Sequence, residues 1–286
     1  MAKKSLFIQG PPLGESLFIL PFDHRESFSK EFENEEESKQ IIYRGFEQAL
    51  ESDGVPKESA AILVDEQYGS AVIKDAISKG YTVCLAVEKS GQDEFDFEYG
   101  DNFGEHLNKY HPAFAKALVR YDPQGDAEFN FHQRQKLKKL NDFCKNNNYL
   151  LLIEPLVPSS DNARQLKSMI KMIKEMQKDG IEPDVWKIEG LENPKDYQDL
   201  LAQIKSGGRE SANAIVLGRG ADDKQVEKWL LAGAKVPGII GFAIGRTIFW
   251  QPLLDYKNKK ISKETAISQI SQKYQHFYKL FTGAAK

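Results

Sequence analysis

Lys187 stands inside a short β-forming run, Asp184-Val185-Trp186-Lys187-Ile188. An ammonium in such a run is costly to bury unless it is paired or put to use. Side chains alternate along a strand, so Val185, Lys187 and Glu189 share one face while Trp186 and Ile188 share the other. With the bulky apolar pair turned outward, Lys187 points inward. The same alternation groups Lys116, Leu118 and Arg120 in the run 114–120, and Leu150, Leu152 and Glu154 in the run 149–154. Two lysines and a glutamate then meet on neighbouring strands. Desolvation and a nearby like charge both favour a neutral amine, the nucleophile that condenses with a ketone to give a Schiff base, and Lys116 is the neighbour expected to activate Lys187. Glu154, in direct or one-water reach, would shuttle the protons of carbinolamine formation and dehydration. A buried Lys–Glu ion pair without chemistry is the competing reading.

A second group of residues suits an anion. Gly218-Arg219-Gly220 and the stretch Gly241-Phe242-Ala243-Ile244-Gly245-Arg246 end two later runs. Gly218, Gly220 and Gly245 let the backbone approach a phosphate closely, and Arg246 adds a permanent, bidentate cation. Glycines of this kind also simply make turns. Phe22-Asp23-His24-Arg25 closes the first run. There Asp23 is read as a substrate contact or a helix N-cap, His24 as a substrate contact, and Arg25 or Arg120 as partners for a substrate carboxylate. His24, His106, His111, His132 and His276 show no zinc-binding spacing. The carboxylates Asp65, Glu66, Glu88, Glu154 and Glu189 keep magnesium as an alternative, but the expectation is no metal and no cofactor. The lysine runs 136–139 and 257–260 read as solvated faces.

These side chains must be held by something, and the spacing of the apolar runs says what. Eight runs, 17–22, 61–65, 82–86, 114–120, 149–154, 184–188, 214–218 and 239–243, are separated by stretches long enough for a helix and two loops. Helical patterns fall at 38–51, 131–146, 162–178, 194–204 and 222–232; the third connection is the least regular. Eight strand–helix units over about 250 residues predict a (β/α)8 TIM barrel, whose active site lies at the C-terminal strand ends where the residues above fall. An extra C-terminal helix is expected at 262–281, and no linker or composition shift divides residues 1–286, so one domain is expected. Lys and Arg number 39 against 42 Asp and Glu, a net charge of −3 that offers no field for nucleic acid. No apolar stretch is long enough to span a bilayer, and Met1 to Gly10 does not read as a leader, so a cytoplasmic protein is expected. Cys84 and Cys144 read as two buried thiols. A homo-oligomer stays open.

Six segments carry a resemblance: Phe22-Asp23-His24-Arg25, Val64-Asp65-Glu66-Gln67-Tyr68-Gly69, Phe97-Glu98-Tyr99-Gly100, Val119-Arg120-Tyr121-Asp122-Pro123, Trp186-Lys187-Ile188-Glu189-Gly190-Leu191 and Val216-Leu217-Gly218-Arg219-Gly220-Ala221-Asp222. From residue 22 to about 256 the chain resembles the uncharacterised domain fused behind 5-dehydro-2-deoxygluconokinase in bacterial inositol catabolism, a family similar in turn to class I tagatose-bisphosphate-type aldolases. The resemblance implies that Asp23, Lys116, Glu154, the Schiff-base Lys187 and the phosphate-holding Gly245-Arg246 are the matching site residues. It departs at His24, where those aldolases tend to carry Gln, which bears on the substrate's hydroxyl pattern. It implies a phosphorylated keto sugar acid, 2-deoxy-5-keto-gluconate 6-phosphate, cleaved to dihydroxyacetone phosphate and malonate semialdehyde, with Asp23 or Glu154 taking the hydroxyl proton. A metal-assisted aldolase or isomerase, and a phosphosugar-binding module without turnover, are the rivals.

Overall fold

Parallel strands buried on both sides need apolar residues facing in and out. The chain supplies them in eight short elements. The computed structural model describes residues 16–51, 54–158 and 162–285; residues 1–10, read above for a leader, lie outside the described residues. The order is β1 (Leu17–Pro21), α1 (Glu26–Ser29), α2 (Glu35–Leu50), β2 (Ala60–Val64), α3 (Glu66–Ser78), β3 (Thr82–Ala86), α4 (Phe103–Tyr110), β4 (Phe114–Arg120), α5 (Ala127–Asn147), β5 (Leu150–Leu156), α6 (Asn162–Lys178), β6 (Val185–Glu189), α7 (Pro194–Ile204), β7 (Asn213–Leu217), α8 (Asp223–Gly233), β8 (Ile239–Ala243), α9 (Arg246–Lys257) and α10 (Lys263–Ala284). The strands are parallel and close in sequence order, β8 returning to β1 through Leu17↔Gly241, Phe18↔Phe242 and Ile19↔Ala243. The expected TIM barrel with an added C-terminal helix is what forms.

Alternation divides each strand between two apolar layers. Leu17, Ile19, Leu63, Cys84, Phe114, Leu152, Val185 and Ile215 fill the barrel. Phe18, Leu20, Val64, Leu85, Ile153, Trp186, Ile188 and Phe242 face the helical shell. Trp186 and Ile188 therefore point outward as expected, which commits Lys187 between them to the interior. Side-chain caps start the helices: Asn34 accepts from Glu37 N–H, Asp65 from Tyr68, Asp126 from Phe129, Asp222 from Gln225 and Ser262 from Thr265. The added helix α10 is fastened to the barrel wall, where the Tyr274 hydroxyl donates to Phe18 O at 2.6 Å and Tyr278 and Phe281 pack edge-on against the Phe18 ring. No helix among the described residues is long and apolar enough to cross a membrane.

The irregular third connection has a structure of its own. After β3 the chain folds back on itself, Glu98 N–H donating to Val87 O at 3.0 Å and Lys89 N–H to Asp96 O at 2.9 Å, before a single turn leads into α4. Phe97 stacks on Phe103 at 4.1 Å, and Phe95 N–H donates to the buried Gln133 amide of α5 at 2.8 Å. This fold-back forms one wall of the barrel mouth.

Candidate active site

Lys187, near the middle of β6, is 4% exposed, and Lys116 on β4 is 1% exposed. Between them β5 brings up Glu154, whose Oε2 accepts from Lys187 Nζ at 2.8 Å and lies 3.1 Å from Lys116 Nζ. Lys116 also donates to Asp23 Oδ2 at 2.7 Å and to Glu88 Oε1 at 2.6 Å. The two lysines and Glu154 meet as the alternation predicted, and Asp23 joins them. Glu88, which sequence reasoning set aside as a possible metal ligand, completes the group.

The electrostatics differ from expectation in one respect. Lys116 is ringed by three carboxylates, so it is a matched cation rather than a bare like charge pressing on Lys187. Burial opposes its charged form, but Asp23, Glu88 and Glu154 outweigh burial and hold its pKa well above the ordinary lysine value. Burial likewise favours a neutral Asp23, yet the Lys116 and Lys187 ammoniums hold that carboxyl far below the usual carboxylate range. Asp23 is thus a fixed anion and a weak base. Glu154 is also lowered, Lys187 and Lys116 overcoming the cost of burial. Glu88 goes the other way: burial pushes it up despite Lys116 and Arg25.

The turn after β1 is anchored from below. Lys39 of α2, completely buried, donates to the carbonyls of Phe22 at 2.8 Å and His24 at 2.9 Å and pairs with Asp65, the cap of α3. That grip fixes the backbone on both sides of Asp23. Arg25 is drawn away from the expected role of open anion receptor: it donates to Glu98 at 2.9 Å and to Glu88 O at 2.7 Å, tying the turn to the fold-back after β3. Its Nε and the second Glu88 oxygen have no hydrogen-bond partner among the described residues. Burial first, then Arg246, Lys187 and Lys39, lower His24 to a pKa of about 4, with Asp23 pulling the other way. Lys39 was hidden in an amphipathic helix pattern, whereas Glu98 sits in the motif Phe97-Glu98-Tyr99-Gly100 and carried a usable signal.

Beside the turn after β1 lie the loops after β7 and β8. Arg219 and Gly220 both take positive φ, 49° and 75°, and a side chain at 220 would press on the Arg246 guanidinium, 2.9 Å from an added Cβ. A Cβ at 245 would stand 2.2 Å from Pro21 O, so glycine is what lets α9 begin this close to β1. Among the described residues the N–H groups of Gly220, Gly245 and Arg246 donate to no backbone acceptor. Arg246, half-buried, donates to Arg219 O at 2.8 Å, and Arg219 pairs with the buried Glu189. Gly218, by contrast, uses its N–H on Ala243 O. Amides with no backbone acceptor, the start of a twelve-residue helix and a guanidinium lie near one another here, an arrangement that can take an anion.

A cavity of about 200 Å³ opens at the centre, lined by Asp23, His24, Arg25, Glu88, Glu154 and Lys187, with Arg120 exposed at its rim. A larger cavity, about 750 Å³, lies on the outer surface around α2 and Lys263 and touches none of these residues. The other carboxylates named for magnesium are dispersed: Asp65 faces Lys39, Glu66 faces His106 and Lys109, and Glu189 faces Arg219. Cys84 and Cys144 are free and buried.

Solved structures share this fold at low identity. Cgl0159 from Corynebacterium glutamicum aligns with a TM-score of 0.60 at 17% identity, over 91% of this chain and 85% of that one. A Schiff base forming fructose-1,6-bisphosphate aldolase aligns at 0.59 with 14% identity, over 91% and 94%. An archaeal fructose-1,6-bisphosphate aldolase, whose catalytic Lys is covalently bound to the carbinolamine intermediate of the substrate, aligns at 0.61 with 15% identity, over 95% and 96%. No curated protein matches the chain in sequence. Residues 11–284 match the family described as "Uncharacterized protein conserved in bacteria (DUF2090)", and on that match the chain belongs to the DUF2090 family.

Proposed function

We propose that the chain is a class I, Schiff-base-forming aldolase acting on a phosphorylated keto sugar. The observation that carries this is Lys187: a buried primary amine at the mouth of the barrel, hydrogen-bonded to a carboxylate and lining a cavity. The fold likeness to aldolases, one of which forms its bond to substrate through a catalytic lysine, supports the same reading.

Lys187 attacks the substrate ketone after giving up a proton, and Glu154, 2.8 Å away, takes that proton and returns it to the departing hydroxyl of the carbinolamine. Lys116 and Asp23 hold Glu154 and the cavity floor in place. The resulting iminium is the electron sink for breaking the bond beyond the α-carbon. The free amides at Gly220, Gly245 and Arg246 and the Arg246 guanidinium hold the phosphate, so that binding far from the reacting carbon fixes its position. Arg120, exposed at the cavity's rim, is the cation we assign to a carboxylate at the substrate's other end. On the resemblance of its motifs, the substrate is 2-deoxy-5-keto-gluconate 6-phosphate, cleaved to dihydroxyacetone phosphate and malonate semialdehyde in inositol catabolism. The enzyme would be a cytoplasmic, single-domain protein related to the partner of a kinase.

The test is to incubate the protein with this keto acid phosphate and with ketose bisphosphates, reading triose phosphate by mass, with and without EDTA. The proposal expects product that survives EDTA and disappears in Lys187→Arg. Turnover lost to chelation would favour the metal-assisted rival, and binding of dihydroxyacetone phosphate with no product from any candidate would favour a binding module.

A further inference from the structure

Of the titratable side chains that line the central cavity without being exposed at its rim, Asp23, Arg25, Glu88, Glu154 and Lys187 are each held by an oppositely charged partner. His24 is not. Its Nδ1 is buried without a hydrogen-bond partner, and no bond to Nε2 is formed among the described residues. The ring meets Phe249 edge-on with centroids 6.0 Å apart, and its main-chain carbonyl is pinned by Lys39. An imidazole fixed in place with one nitrogen buried and unpaired, and the other bonded to nothing among the described residues, is left open to a partner from outside the chain.

The Schiff-base reaction leaves one proton without an acceptor. When the bond beyond the α-carbon breaks, the hydroxyl on the departing carbon must lose its proton. Asp23 is tied up by Lys116, and Glu154 by Lys187, whose proton it already handles as the carbinolamine forms and dehydrates. We propose that His24 is the group that takes this proton. The inference rests on the Schiff-base reading above and adds a catalytic residue to it.

The O–H bond of the β-hydroxyl breaks and its proton moves to a ring nitrogen of His24. The oxygen's electron pair forms the new carbonyl, the carbon–carbon bond breaks, and its pair forms the enamine while the iminium nitrogen becomes neutral. The imidazolium then returns the proton to the enamine carbon, and water hydrolyses the iminium to release the ketone and the free amine of Lys187. His24 begins neutral at pH 7, held at a pKa of about 4 by burial and then by the cations Arg246, Lys187 and Lys39. The positive charge at position 187 vanishes as the enamine forms, while the Asp23 carboxylate beside the ring stays. The imidazole therefore becomes more basic at the moment it must accept the proton. Proton transfer of this kind typically contributes about 10²–10⁴-fold.

The experiment compares wild type with His24→Gln, which keeps hydrogen-bonding capacity and cannot carry the proton, and with His24→Asn. Imine formation is read by borohydride trapping with dihydroxyacetone phosphate, and cleavage is read with 2-deoxy-5-keto-gluconate 6-phosphate. The expected result is undiminished trapping with cleavage slowed about 10²–10⁴-fold in both variants. Cleavage within about threefold of wild type overturns the assignment of His24 and leaves the Schiff-base reading standing; so does loss of trapping together with cleavage, which marks His24 as structural. Wild type that traps no adduct overturns the Schiff-base reading itself, and this step with it.

Discussion

Replacing Lys116 by methionine keeps most of the side chain's volume and removes the cation that Asp23, Glu88 and Glu154 share. The three contacts, at 2.7, 2.6 and 3.1 Å, are almost fully buried. Each is worth on the order of 5 kcal/mol of gross attraction at an effective dielectric of about 20. Desolvation of the ammonium and repulsion among the carboxylates cancel much of that, and removing one partner of a buried pair costs about 3–5 kcal/mol net. Lys187 still faces Glu154 and Arg25 still faces Glu88, which places the loss toward the lower end. The pH dependence has a definite sign. Folded-state pKa values of Asp23 and Glu154 lie below their ordinary values, so their contribution is present above the usual carboxylate range and is lost as pH falls through the lowered values. Without Lys116 the same buried carboxyls move upward and protonate in milder acid. Urea denaturation of both proteins at pH 7.5 and pH 5 should give a deficit of about 3 kcal/mol that narrows at the lower pH. A deficit below about 1 kcal/mol, or one equal at both pH values, would refute the shared-cation account.

Arg246→Ala should weaken binding of inorganic phosphate, measured by titration calorimetry, about 10- to 100-fold for the loss of about 1.5–3 kcal/mol of charge-assisted bonding. Its melting temperature should stay close to wild type, because the side chain is half-buried and spends its bond on one loop carbonyl; equal affinity removes the phosphate site. Lys39→Met should cost about 3–5 kcal/mol in urea denaturation by stranding the buried Asp65, and Lys39→Met with Asp65→Asn should recover part of it. A double variant no better than the single one would show that the two carbonyl contacts, not the ion pair, carry the effect.

The barrel was legible because each parallel strand is apolar on both faces and ends in polar residues, which makes the eight runs countable without knowing their contacts. Strand ends moved where pairing went on past the apolar run: β5 extends through Pro155 and Leu156 because Val119 and Arg120 of β4 continue beside them. Lys187, Lys116 and Glu154 were found by alternation, a local rule. Lys39 was not, because an amphipathic pattern treats lysine as solvent-facing, and its burial is decided by Asp65 and two carbonyls that come from other segments. Glu88 was seen as a strand-end carboxylate but misread, since only the closed barrel shows that β3 and β4 bring it to Lys116. The fold-back after β3 rests on a few backbone bonds and aromatic contacts, which leave no periodic trace.

The central claim is that the Lys187 amine forms the covalent bond to substrate. Sodium borohydride added with dihydroxyacetone phosphate, followed by digestion and mass spectrometry of the peptides, tests it directly. The account predicts one reduced adduct, on Lys187, absent when borohydride or ligand is omitted. An adduct on Lys116 or a surface lysine instead, or none while the keto acid phosphate is being cleaved, would contradict it.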